Sequence, residues 1–538
     1  MKTRVLAVIF LSAESVLAAP CQKLIYHGHD LFAATTESVY RNREKFAATG
    51  IDGLAMPLTG VREDGSCLSG MDLMTTMGWR DAYFANSVQL LREMTSSCEG
   101  LKESLAMTLW CPRKEALLHW KDDAAWAAFA SNMAVLGRVA KVSGLKGIQI
   151  DHEDYWNGDQ FKVRGCGLSC EESARLARQR GRQVFEAFFR EFPDAEVLSF
   201  WMFDEVATSY VLSSPDPQKA ILAKGNLWPA FLNGMLEVIP SAAKMIDGCE
   251  TFGYKAEAAT YDFHRYAWDM IRGCERLVDG SLKSKYRGAL SVSFGQYLDK
   301  FINPETSKYY FAPRGGSRLA HFSENLSEAL RLADDCIWLY GEKATIIDWD
   351  VKNHKHLQKP TWEEKLPGIG RVCRLLTGKD VLEKDLGKEF WPNPDCDTSD
   401  GGIPAPFTTW TGLKDPPEDL FAYDPAEGAS KPGALRVNGN GSYTAAIDGL
   451  SCGEILSVSV MVKGDRPCVS TGWRKGTTWL WEERPQCVIV PNEKPSSEWR
   501  RCAMTLVVPF GVDSFGLILG TCADSKESVW FDDVHIRK

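Results

Sequence analysis

Eight short apolar segments, each followed by a longer stretch of helical periodicity, fill residues 23–376. The strand candidates are Leu24–Asp30, Ile51–Pro57, Ser104–Trp110, Gly147–Glu153, Glu196–Phe203, Lys244–Glu250, Ala289–Gln296 and Cys336–Glu342. Between them Ser38–Ala48, Ala124–Lys141, Glu171–Phe192 and Leu319–Leu332 carry apolar residues at three- and four-residue spacing, the period of a helix with one buried face. Eight β-then-α units in roughly 350 residues predict a (β/α)8 barrel, an α/β fold. A doubly wound open sheet is the alternative, but it needs a Gly-rich phosphate loop after its first strand, and none follows here.

Beyond Gly378 the pattern changes. Pro392, Pro394, Pro404, Pro406, Pro416 and Pro417 mark a linker, and from Asp415 to Lys538 only strand-like segments follow. These are Ala434–Val437, Glu454–Val462, Gln486–Val490, Arg500–Val508, Ser514–Leu519 and the closing run through Ile536, which predict an all-β sandwich. At the other end, a basic Met1–Arg4, an apolar Val5–Leu11 and the small residues Ala18-Ala19 read as a secretory signal. The expected division is therefore 1–19 signal peptide, 20–378 barrel, 379–414 linker and 415–538 sandwich. The chain is expected to be exported, to periplasm, cell surface or medium. Cys21 follows Pro20, where lipid attachment wants a small residue, so a lipid anchor is not expected.

A net charge of −9 without basic runs disfavours nucleic-acid and anionic-membrane partners. No later stretch reaches 18 apolar residues, so no membrane span is expected. Sixteen Cys permit disulfides in an oxidising compartment, with Cys166 and Cys170 the tightest pair. Cys336 and Cys373 sit in apolar patterns and read as buried free thiols. The sequence does not fix an oligomeric state.

Barrel chemistry occurs at the carboxyl ends of the strands, and alternation decides which side chains face inward. On the fourth strand Ile148 and Ile150 should face helices, leaving Gln149, Asp151 and Glu153 inward, followed by Tyr155 and Trp156. On the sixth, Asp247 and Glu250 have opposite parity, and Glu250 lies nearer the end. The eighth offers Trp338, Tyr340 and Glu342; the fifth Ser199, Trp201 and Phe203, with Asp204 and Glu205 in the loop; the third ends at Trp110 and the seventh at Gln296. His27, His29 and Asp30 close the first and are expected to bind a sugar hydroxyl or brace the first loop. Trp110, Trp156, Trp201, Tyr254, Trp338 and Tyr340 could line one cleft as sugar platforms. Carboxylates beside aromatic faces are the chemistry of glycoside hydrolysis. Glu153 is expected to be the acid, its pKa raised by burial and by Asp151; Glu250 is the preferred second carboxylate and Glu342 the alternate.

The segments Leu145–Glu153, Pro229–Leu236, Asp247–Glu250 and Trp338–Lys343 make residues 23–350 resemble a group of exported bacterial glycoside-hydrolase-like (β/α)8 proteins. The Asp-x-Glu of the fourth strand is also similar to that of chitinase-type and hexosaminidase-type barrels, which implies an acid role for Glu153 and a tuning or substrate-orienting role for Asp151. The longer Asp-rich run that precedes the pair in chitinases is absent. Trp499-Arg500-Arg501 and the ending Ser528–Ile536 make the sandwich resemble the jelly-roll carbohydrate-binding modules of secreted glycosidases, and Trp473, Trp479 and Trp481 are its candidate sugar face. The expected partner is a carbohydrate substrate. No cofactor is expected, and no metal: His27-x-His29 lacks the further His that a metal-dependent barrel needs on later strands. A non-catalytic glycan binder is the alternative. So is a sialidase-type enzyme using Arg113, Arg164 or Arg314, with Tyr254 or Tyr340 as nucleophile.

Overall fold

The computed structural model describes residues 23–163, 168–377, 387–398, 402–480, 487–489, 496–521 and 527–538. The signal segment 1–19, Cys21, Arg164, Cys166 and Trp481 lie outside them.

Nine strands form one sheet: β1 Lys23–Gly28, β2 Gly53–Met56, β3 Leu105–Leu109, β4 Gly147–Asp151, β5 Glu196–Ser199, β6 Lys244–Asp247, β7 Leu290–Val292, β8 Gly295–Tyr297 and β9 Cys336–Gly341. Every pairing is parallel, in the order β8-β9-β1-β2-β3-β4-β5-β6-β7. The strands at the two ends of that order are consecutive in the chain. The segment expected as one seventh strand breaks at Ser293-Phe294, pairing first with β6 and then with β9. Around the break Ser293 N–H donates to Asp247 O (3.1 Å) and Trp338 N–H to Phe294 O (3.2 Å). The sheet is strongly curled: Lys23 on β1 reaches Glu196 on β5 (3.2 Å), and Trp338 on β9 stacks on Phe200 beyond β5, centroids 4.5 Å apart.

The curl separates two apolar regions. Ile25, Leu105, Leu198, Phe200, Ile246, Cys336 and Trp338 pack inside. Leu24, Tyr26, Ile148, Ile150, Val197, Met245 and Leu339 pack outside with the helices. Those helices include α1 Asp123–Val142 and α2 Cys170–Glu191. Asp122 caps α1, its carboxylate accepting from Ala125 N–H (2.9 Å), and Ser169 caps α2 through Glu172 N–H (3.1 Å). This partition corrects the fifth strand: Leu198 and Phe200 face inward, not Ser199 and Phe203, while Trp201, beyond the strand's end, packs against both the inner and the outer region. Ser199 instead reaches the Ile150 carbonyl and the His152 ring, and Phe203 packs on Tyr286. Cys336 and Cys373 are buried.

The C-terminal region holds two antiparallel sheets. One contains Thr408–Trp410, Ser442–Asp448, Ser514–Thr521, Pro467–Lys475, Thr478–Trp479 and Cys487–Ile489; the other contains Phe421–Asp424, Ala434–Asn438, Ser528–Arg537, Ile455–Gly464 and Ser496–Val507. Their inner faces share one core that joins Val458, Val460 and Phe531 to Tyr443, Phe515 and Leu517. This region meets the curled sheet's helical layer through Phe510, whose N–H donates to Glu324 Oε1 (3.2 Å). No helix among the described residues is long and apolar enough to cross a membrane.

Candidate active site

β4 stops at Asp151, one residue pair short of the expected Glu153, and its last side chain caps the exit. Asp151 Oδ1 accepts from Glu153 N–H (3.0 Å), and Oδ2 accepts from the Tyr155 hydroxyl (3.0 Å). Leaving the strand swings His152 outward onto Trp228, centroids 3.9 Å apart, where burial lowers it to about 3 and keeps it neutral. Glu153 is exposed and Asp151 buried. Burial therefore acts on Asp151 rather than on Glu153, correcting the expectation. It pushes the Asp151 carboxyl up to about 7, against the pull of the Glu153 N–H and Tyr155 hydroxyl bonds. Below it, the Gln149 amide is buried with no hydrogen-bond partner among the described residues.

β6 ends at Asp247, whose buried carboxylate accepts from the N–H groups of Met202 (2.9 Å), Phe203 (3.1 Å), Asp204 (3.3 Å) and Cys249 (3.4 Å). It knits the β5 and β6 exits together, with Asp204 beside it pushed well above the carboxylate range by burial and by the Asp247 charge. Cys249 then turns left-handed (φ 45°), so that Glu250 opens one helical turn. Glu250 is held well above the usual range, first by burial and then by the charges of Glu153 and Asp151; the Tyr254 hydroxyl beside it works in the opposite direction. Glu205, half-buried after β5, is raised by burial and also feels Glu153. Asp151, Glu153, Glu205 and Glu250 thus form one electrostatic group at the carboxyl ends of β4, β5 and β6. None of the four forms an ion pair among the described residues.

An aromatic wall completes the mouth. Tyr254 stacks on Tyr297 (5.0 Å) and Tyr340 (5.9 Å), and Trp338 lies behind them with Nε1 donating to Gly248 O (2.7 Å). His27 is buried among Phe32, Phe200, Trp338 and Tyr340, both ring nitrogens without hydrogen-bond partners among the described residues, and burial lowers it to about 3. Beyond Tyr340 stand Glu342, whose Oε1 accepts from the Tyr340 hydroxyl (3.2 Å), and half-buried His29. Tyr340 stands between Glu342 and Glu250, and both charges act on it.

The structure therefore brings together Asp151, Glu153, Glu250, Tyr254, Trp338, Tyr340, His27, His29 and Glu342. It removes Trp110, which is fully buried in the outer core against Phe129 and Phe185 because it shares parity with Ala106 rather than Leu105. Asp30 is a clamp, accepting from Tyr26 OH (2.9 Å), Trp349 Nε1 (3.0 Å) and Ile346 N–H (3.2 Å). Gln296 pairs in register with Leu339 and faces away, sharing the outward parity of Val292 and Phe294; Tyr297, in register with Tyr340, faces the wall instead. Trp201 packs on His152 (4.5 Å), and Trp156 is exposed outside the wall, under the Arg113 guanidinium. Arg314 is occupied by Glu257 (2.5 Å) and Glu324 (3.2 Å), away from the mouth. The sequence places Tyr155 and Glu205 beside the site without giving them a role, and it does not single out Tyr297. Among the described residues no group of three or more His, Cys, Asp or Glu could hold a metal ion. In the C-terminal sheets Trp473 is buried against Phe515 and belongs to the core, whereas Trp479 is half-buried under Arg474.

No family model and no curated protein matches the chain. The solved structures it is similar to include the following three proteins, each at low TM-score. The enzymatically active domain of bacteriophage CBA120 tailspike protein 4 gives TM-score 0.22 at 10% identity, over 27% of this chain and 22% of that one. The module TmCBM61 in complex with β-1,4-galactotriose gives 0.22 at 10%, over 28% of this chain and all of that one. The CBM22-1–GH10 modules of Clostridium thermocellum xylanase 10B with xylohexaose give 0.18 at 19%, over 22% and 24%.

Proposed function

We propose that the chain is a glycoside hydrolase working at the carboxyl-end mouth of a (β/α)8 barrel, with β7 and β8 as the two halves of its seventh strand. One observation carries the reading: two carboxyls on the same rim, Glu250 and Glu153, stand in opposite environments. Glu250 is half-buried among like charges that hold its carboxyl well above the usual range, whereas Glu153 is in water. Environments that separate two carboxyls in this way assign acid and base. Glu250 protonates the leaving oxygen, and Glu153 attacks the anomeric carbon or activates a water against it. This exchanges the roles expected from the sequence. Asp151 is a positioning residue, holding the Glu153 backbone and the Tyr155 hydroxyl. Tyr254, Tyr297 and Tyr340 offer the sugar its stacking faces.

The C-terminal sheets are read as a jelly roll that holds glycan near the mouth, and residues 1–19 as the export signal. Released sugars from a glycan array, measured by mass spectrometry for the wild type, Glu250→Gln and Glu153→Gln, test the assignment. Release cut by about a hundredfold or more in both variants supports it; proton NMR of the first product then separates retention from inversion. No release from any glycan refutes catalysis and leaves a glycan-binding protein.

A further inference from the structure

On the opposite side of the mouth from Glu153 the exits of β9 and β1 border a cavity of about 770 Å³. His29, Glu342, Arg318, Lys343, Lys359 and Lys365 line it. Four permanent cations face one carboxylate there. Among the described residues none of the four is ion-paired: Lys359 Nζ donates to the Glu342 carbonyl and to His356 Nδ1, and Lys343 Nζ to Asn303 Oδ1. The imidazoles lie against the same charges. His29 is lowered by burial and then, against the Glu342 charge, by Lys359 and Lys355; His356, 5.1 Å from His29, is lowered to about 4 by burial, Lys359 and His29. Like charges left unpaired around a concavity raise its potential and draw an anion into it.

A chain of side-chain contacts links this cavity to the proposed site. Glu342 bonds the hydroxyl of Tyr340, whose ring stacks on Tyr254, and Tyr254 stands beside Glu250. One side of the mouth is a group of carboxyls, the other a group of cations, and tyrosine faces lie between. We infer that the substrate is an anionic glycan: its carboxylate or sulfate ester seats among Arg318, Lys359 and Lys365 while the scissile bond lies at Glu250 and Glu153. The inference rests on the glycosidase reading and adds the substrate class.

Two matched pairs of probes test it on the full chain carrying Glu153→Gln, by calorimetric titration. One pair is an oligogalacturonate and its carboxyl-reduced neutral form; the other is a sulfated galactan oligosaccharide and its desulfated form. In at least one pair the charged member should bind about tenfold or more tighter, as a charge-assisted contact implies. Which pair responds tells uronate from sulfate. Adding Arg318→Ala and Lys365→Ala should abolish that advantage, and salt should weaken it, with the unfolding temperature unchanged. Equal binding within both pairs, or an advantage indifferent to the two substitutions, overturns the inference. Release of neutral glycans that depends on Glu250, without preference for anions, overturns it too and leaves the glycosidase standing. Anion-selective binding lost in the double variant, with no release from any glycan by the wild type, keeps the cavity's assignment and removes the hydrolase.

Discussion

Asp151→Asn should make the protein more stable in mild alkali. The native carboxyl is lifted from the ordinary 3.8 to about 7 because it is buried, and the two hydrogen bonds it accepts only partly offset that. Between those values the native state holds a proton that the unfolded chain has lost. Stability therefore falls as pH rises through this window, since the slope follows the protons bound by the unfolded state less those bound by the native one. At about 1.4 kcal/mol for each tenfold change in proton affinity, the full displacement is worth about 4 kcal/mol. Most of it, about 3 kcal/mol, is incurred between pH 5 and pH 8. Asparagine is neutral throughout. Its carbonyl can still accept from Glu153 N–H, and its amide can donate to the Tyr155 oxygen. The assay is denaturant unfolding of both proteins at pH 5 and pH 8, followed through tryptophan fluorescence. The variant's stability relative to wild type should improve by about 3 kcal/mol from the lower pH to the higher. A difference that does not change with pH would mean that Asp151 stays ionised inside the protein, and the burial argument would fail.

Glu250→Gln should lower kcat by about a hundredfold or more with little change in KM, because an acid acts in the transition state. Wild-type rate should fall as pH rises through the raised Glu250 value, and the variant's residual rate should lack that fall, as a pH–rate profile will show. Asp30→Ala strands the Tyr26 hydroxyl, the Trp349 indole N–H and the Ile346 N–H. It should cost about 3 kcal/mol or more in denaturant unfolding, and KM for any glycan turned over should stay put. Gly295→Ala places a methyl 2.7 Å from the Trp338 ring and 2.8 Å from the Tyr254 ring. It should cost about 1–3 kcal/mol and raise KM, since both rings belong to the wall.

The alternation of strands and helices was legible because periods of two and of 3.6 leave different apolar patterns. The inward faces were harder. In Glu196-Val197-Leu198-Ser199-Phe200 apolar residues occupy both parities, so alternation gave no direction, and Leu198 and Phe200 face inward only because Ile25, Ile246 and Trp338 are there to meet them. Trp110 illustrates the same blindness: Leu105 points in, so Trp110, five residues on, points out, into a core that Phe129 and Phe185 bring from distant helices. The break at Ser293-Phe294 depends on one segment pairing with β6 and β9 at once, which no local pattern announces.

The exchange of roles proposed for Glu153 and Glu250 follows from where two strands stop. Had β4 run on to Glu153, that side chain would have pointed inward and shared the desolvation of Asp151, as the alternation implied. It stops at Asp151, whose own carboxylate binds the Glu153 N–H and turns the chain into solvent. β6 stops too, at Asp247, but there the left-handed Cys249 rolls the next residue inward, under the tyrosines and toward the other acids. Parity within a strand is written in the sequence. The path beyond its last hydrogen bond is set by a side chain that caps it, and at this mouth that cap decides which glutamate is shielded from water.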